Sequence, residues 1–172
     1  MDLKKYIREI QNFPKEGISF KDITTLFKDK DAFNSALEVI VEKFQDKNIT
    51  KVVALESRGF IFGGAIANKL NAGFVPIRKK GKLPFETFSE TYDLEYGVDS
   101  VEIHADSLDE NDVVLIHDDL LATGGTAYAA LNLVRRMGVK NIYFSFICDL
   151  EFIQTTKKEL IKEFETQILI EY

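Results

Sequence analysis

Residues 113–126, Val-Val-Leu-Ile-His-Asp-Asp-Leu-Leu-Ala-Thr-Gly-Gly-Thr, constrain this chain more than any other stretch, because they join a buried strand to a helix through a charged, glycine-bearing loop. The run 113–116 is unbroken, apolar and mostly β-branched, which suits a strand covered on both faces of a parallel sheet. After Thr126, Ala127, Ala130, Leu131 and Val134 recur at helical spacing as far as Met137, and Gly138 stands where a C-cap belongs. The same order occurs upstream, with a strand at 51–55, a glycine-bearing loop at 56–63 and a helix to about Leu70. Such repetition implies βαβ units: an α/β fold with a mostly parallel twisted sheet flanked by helices, and ligands gathered at the carboxyl ends of the strands.

The loop carries its own chemistry. Gly124 and Gly125 lack the Cβ atoms that would hold a bulky oxygen away from the main chain, so several N–H groups can converge on one anion. Thr123 and Thr126 add hydroxyls, and the helix supplies unpaired N–H groups and the positive end of its dipole. Asp118 and Asp119 would repel a phosphate unless the ligand also brings a neutral donor or a cation. A vicinal diol brings such donors. A ribose 5-phosphate would set its phosphate on 122–126 and its 2′ and 3′ hydroxyls on the acids, with a divalent cation nearby if a second phosphate is present. The stretch has neither the lysine of G-x-x-x-x-G-K-[ST] nor G-x-G-x-x-G, which argues against a P-loop ATPase and a dinucleotide fold.

A length of 172 residues suits one domain, 1–172. With 22 basic against 28 acidic residues the net charge is −6, so the chain is not built to lie along nucleic acid or an anionic membrane. A small anionic substrate then needs a local cationic cluster. Residues 78–82, Arg-Lys-Lys-Gly-Lys, are that cluster or simply a solvated loop. Cys148 is the only cysteine, lies in an apolar run and excludes an internal disulfide. Together with the absence of an apolar signal region or a bilayer-length stretch, this sets the expectation of a cytoplasmic protein. His104 and His117 are too isolated for a zinc-type site.

Elsewhere, apolar spacing at Leu3, Tyr6, Ile7 and Ile10 predicts a short amphipathic helix, and 17–24 reads as an extended arm. Asp31 is the expected cap of a helix over about 32–46. Strands are expected at 74–77, 142–148 and 168–170, with a helix over 155–164. Residues 85–90 are polar enough to be mobile, and 91–96 with 101–104 are expected to pair as a hairpin around Gly97.

Residues 118–126 resemble the 5-phosphoribosyl-1-pyrophosphate (PRPP) motif of the type I phosphoribosyltransferases, and their order is similar to that of the family's adenine-using members. Further stretches are similar to family segments, in the family's order, and the likeness runs from about Phe13 to Tyr172. The resemblance implies the family's α/β fold with a small N-terminal hood and base-binding arm (1–30) and a mobile lid and hairpin (79–104). It also implies transfer of the phosphoribosyl group from PRPP to adenine, giving AMP and diphosphate, with Mg²⁺ held mainly by PRPP rather than by the protein.

Residue by residue, it implies phosphate binding at Ala122, Thr123, Gly124, Gly125 and Thr126, and ribose binding at Asp118 and Asp119. Ser57, Arg58, Arg78 and Lys82 are implied for pyrophosphate, with a cis peptide between Glu56 and Ser57. Ser19, Phe20 and Lys21 are implied for adenine, Phe20 against the ring and the neighbouring backbone reading its edge; spacing alone allows Phe20 merely to pack the arm onto the core. Leu94-Glu95-Tyr96-Gly97 is similar to the lid segment, which gives Glu95 a catalytic role near the purine and Tyr96 a place in the lid, where composition alone reads an exposed carboxylate. A homodimer, with 78–82 reaching toward the partner's site, is implied by resemblance only. His117 and Phe85 depart from the family pattern. The rival readings are a transferase for another base and a PRPP sensor without catalysis.

Overall fold

The computed structural model describes residues 1–93 and 97–172. A 3₁₀ turn at Leu3–Tyr6 leads into β1 (Arg8–Gln11), which forms an antiparallel two-stranded sheet with β2 (Ser19–Asp22). Then come α1 (Thr24–Phe27), α2 (Lys30–Phe44), β3 (Lys51–Leu55), α3 (Gly59–Lys69), β4 (Gly73–Lys79), β5 (Thr87–Asp93) and β6 (Val98–His104). The chain continues through β7 (Val113–Leu121), α4 (Gly125–Arg136), β8 (Asn141–Asp149), α5 (Thr156–Lys162) and β9 (Thr166–Glu171).

The main sheet has seven strands in the order β5-β6-β4-β3-β7-β8-β9. β4, β3, β7, β8 and β9 run parallel, and the β5–β6 hairpin is added antiparallel at the β4 edge. The apolar run of β7 serves both faces. Val114 and Ile116 join Val53, Phe144 and Phe146 in the core under α4 and α5, while Leu115 joins Val52, Ile40, Phe44 and Phe62 under α2 and α3. This two-sided burial is what an unbroken β-branched strand predicts.

Four expectations change. The N-terminal segment is a 3₁₀ turn and a strand instead of a helix, because β1 pairs with β2 and Arg8 meets Asp22 across that ladder at 2.5 Å. The cap of α2 is Asp29 instead of Asp31: its extended backbone lets Oδ1 accept from Asp31 N and Ala32 N, at 3.1 and 2.9 Å. Much of the polar stretch 85–90 is ordered as β5, each residue of which has a partner on β6. Finally, Asp118 and Asp119 do not follow the strand; β7 runs through them to Leu121, pairing with β8 as far as Asp149. The Glu56–Ser57 peptide is cis. Among the described residues no helix is long and apolar enough to cross a membrane.

Candidate active site

The carboxyl ends of β3 and β7 place the two glycine-bearing loops side by side. Gly124, with φ +77°, caps α4, which starts at Gly125, one residue earlier than the sequence suggests. The left-handed backbone at Gly124 is one reason for glycine there; the other is that a Cβ would come within 3.1 Å of Lys158 N. Gly125 is glycine for a different reason, since its Cβ would meet Tyr92 of β5 at 3.2 Å. Asp118, Leu121 and residues 122–127 line a pocket of about 70 Å³, the scale of a phosphate group. A larger hollow of about 400 Å³ lies between α2 and Lys69 and contains none of these groups, so chemistry, not size, marks the site.

Asp118 and Asp119 come from adjacent positions of one strand and therefore point to different sides. Asp118 Oδ1 accepts from the Asp119 N–H at 2.9 Å and lies where a Cβ on Gly59 would be only 2.9 Å away, so the start of α3 must be glycine to pass. Asp119 is 4% exposed, and its Oδ2 sits 2.7 Å from Arg58 Nε. That pair is not aligned as a hydrogen bond, so Oδ2 accepts none among the described residues. Burial raises the carboxyl of Asp118 well above the usual range, and the neighbouring charge of Asp119 adds to it. Burial also raises Asp119, against the opposing pull of Arg58.

Arg58 bridges the rest. Its guanidinium carbon is 5.9 Å from the Phe20 ring centroid, so the arm, the Ser57-Arg58 loop and the acids meet at one place. Phe13 packs edge-on against Phe20 at 5.2 Å. Ser19 Oγ accepts from Gln11 and Lys21, both at 3.3 Å. The Lys21 side chain is buried, pairing with Glu9 at 2.9 Å and lying 4.2 Å from the Tyr172 ring centroid.

The basic segment is held by acids of its own chain. Glu56 accepts from Arg78 Nε at 3.1 Å, Arg78 Nη2 at 3.3 Å and Lys79 N at 3.0 Å. Burial would raise the Glu56 carboxyl, but these donors outweigh it and hold it below its usual value. Lys79 pairs with Asp99, and Glu102 accepts from Gly81 N at 2.9 Å. Lys82 O accepts from Arg78 Nη1 at 3.3 Å. Glu56 and Glu102 escaped the sequence reading; for Glu56 the signal was its place beside Ser57-Arg58 in a matching stretch. Glu95 and Tyr96 lie outside the described residues. His117 is fully buried behind the acids with its ring 6.2 Å from that of Phe62, and burial brings its pKa down to about 3.

A parallel α/β sheet with a phosphate-sized loop, paired acids and an arginine at its carboxyl ends is the arrangement of a phosphoribosyl-binding protein, and residues 21–166 match the phosphoribosyl transferase domain. The chain is 57% identical over 149 residues to the adenine phosphoribosyltransferase of Bacteroides fragilis, covering 87% of this chain and 84% of that one. It is similar in structure to adenine phosphoribosyltransferase from Thermoanaerobacter pseudethanolicus, with TM-score 0.92, 44% identity and coverage of 99% and 98% of the two chains. The APRTase of Giardia lamblia complexed with 9-deazaadenine gives TM-score 0.92 at 39% identity, covering 99% of this chain and 96% of that one. The chain belongs to the adenine phosphoribosyltransferase family.

Proposed function

We infer that this protein transfers the 5-phosphoribosyl group of PRPP to N9 of adenine, giving AMP and diphosphate, in the cytoplasm. The observation that carries the reading is the meeting of Asp119, Arg58 and Phe20 beside the 122–126 loop, since a phosphoribosyl donor, a leaving diphosphate and a base need one point of contact. The Giardia relative's complex with an adenine analogue supports the choice of base.

In this reading Ala122, Thr123, Gly124, Gly125 and Thr126 hold the 5-phosphate, and Asp118 and Asp119 accept from the ribose hydroxyls. Breaking the C1′–O bond puts positive charge on the ribose ring and negative charge on diphosphate. Carboxylates whose charge is disfavoured by burial are stabilised as that positive charge develops, which favours the transition state over the ground state. Ser57, Arg58, Arg78 and Lys82 receive the diphosphate. Ser19, Phe20 and Lys21 hold the base from an N-terminal hood, 1–30, and 79–104 closes as a lid that keeps water from C1′. Glu95 takes up the imidazole proton, at N7, as N9 bonds to carbon, and Tyr96 belongs to the lid.

Among the described residues no group of three or more His, Cys, Asp or Glu could hold a metal ion. The reading fits Mg²⁺ held mainly by the phosphates of PRPP, a common way of binding this ion, with Asp118 and Asp119 left to the ribose hydroxyls. When bound, Mg²⁺ would neutralise charge accumulating on diphosphate. A homodimer is part of the proposal, supported by the exposure of Ile61 and Phe74, apolar residues of α3 and β4, the strand that leads into the basic segment.

The test is nucleotide formation from PRPP and Mg²⁺ with adenine, guanine, xanthine and pyrimidines supplied singly. AMP from adenine, with little product from the others, is expected. A preference for another base would overturn the specificity, and no product from any base would favour the sensor reading.

A further inference from the structure

Lys158 of α5 is 1% exposed and Asp149, the last residue of β8, is completely buried, a buried charge pair with no assigned role. Removing two charges from water costs much of what their attraction returns, so such a pair is weakly explained by stability. Its geometry suggests another purpose. Lys158 Nζ pairs with Asp149 Oδ1 and donates to Leu150 O at 2.6 Å and to Ile153 O at 3.1 Å, while Lys162 takes Asp149 Oδ2 at 2.7 Å. The ammonium thus gathers the turn between β8 and α5 around itself.

That turn packs against the phosphate loop. Leu150 N donates to Leu121 O at 3.0 Å, and Thr155 Oγ1, whose oxygen also caps α5, donates to Thr123 O at 2.6 Å. The backbone of Lys158 itself lies so close to Gly124 that a Cβ there would be 3.1 Å from its nitrogen and 3.2 Å from its Cα. The ammonium ties down Leu150 directly, and it holds Ile153, two residues before the Thr155 that braces Thr123. We propose that Lys158 is a positioning residue: with Asp149 it fixes the shape of the 122–126 loop, so that its donors are aimed before the 5-phosphate arrives. The inference rests on the reading of that loop as the phosphate cradle.

The test uses Lys158→Met, Thr155→Val and Thr126→Ala in the full chain, with calorimetric titration of ribose 5-phosphate and steady-state kinetics. Folding is checked by melting. Loss of one brace should weaken ribose 5-phosphate and raise the KM for PRPP about tenfold in Lys158→Met, and less in Thr155→Val. The KM for adenine and kcat should stay within about twofold, whereas a fold-wide defect lowers the active fraction, and hence apparent kcat, without moving KM. Folded Lys158→Met with unchanged ribose 5-phosphate affinity, while Thr126→Ala weakens it, overturns the positioning role and leaves the cradle standing. Unchanged affinity in Thr126→Ala removes the cradle and this inference with it. If Lys158→Met does not fold, Thr155→Val decides by the same criteria, because its contact lies at the surface.

Discussion

Two consecutive side chains on β7 show how position decides chemistry. His117 is fully buried, and desolvation depresses its pKa to about 3. A base whose folded pKa lies below its unfolded value leaves stability intact above the unfolded pKa, near 6.5, and removes it as pH falls toward 3. The loss should approach about 1.4 kcal/mol per pH unit in that window. Denaturant titrations of His117→Phe at pH 7, 5 and 4 should therefore show a flatter acid dependence than wild type; equal slopes would mean that His117 is not buried neutral. Asp118 works in the opposite sense. Its raised carboxyl favours the fold while protonated, and that contribution is lost as pH rises through the folded value. For Glu95, Glu95→Gln keeps size and hydrogen bonding but cannot hold a proton, so turnover should fall by about 10² or more with PRPP affinity little changed. Turnover within about threefold of wild type, with product release not limiting, would make Glu95 structural.

At the scale of elements, close packing of α3 on β3 gives the sharpest expectation. A Cβ on Gly63 would lie 2.5 Å from Ala54 Cβ, so Gly63→Ala must push the helix off the strand and should cost about 1–3 kcal/mol by thermal or chemical melting. The cap of α2 gives a paired test: Asp29→Ala should cost about 1 kcal/mol and Asp31→Ala much less. That pair also shows where sequence reading stops. Two aspartates flank the same helix start, and only the backbone angles distinguish the cap from its neighbour. At the N-terminus, spacing over eight residues suited a helix, yet cross-strand pairing of Arg8 with Asp22 won. β3, β4, β7 and β8 were legible because each is an apolar run between turn signals.

Across the whole molecule, the 122–126 loop was legible as the lining of a small pocket because its residues are contiguous in the chain. The contacts that assemble the rest of the site were not, since Arg58 meets Asp119 and Glu56 meets Arg78 only after the sheet has ordered its strands. Nothing in the composition of the α5 region distinguishes Lys158 from the lysines around it, Lys157 and Lys162. Quaternary structure is tested by sedimentation: the wild type should run as a dimer and Ile61→Glu should shift it toward monomer, whereas a fully active wild-type monomer would remove the proposed shared site. The central claim is that burial holds two acids at the end of β7, against their own charge, for use on the ribose. It is tested most directly by following melting temperature and adenine turnover together at pH 7 in Asp118→Asn/Asp119→Asn. Because both carboxyls are raised by burial, the neutral variant should melt no lower than wild type, while turnover falls by about 10² or more. A folded double variant that turns over adenine and PRPP at nearly the wild-type rate would contradict the account.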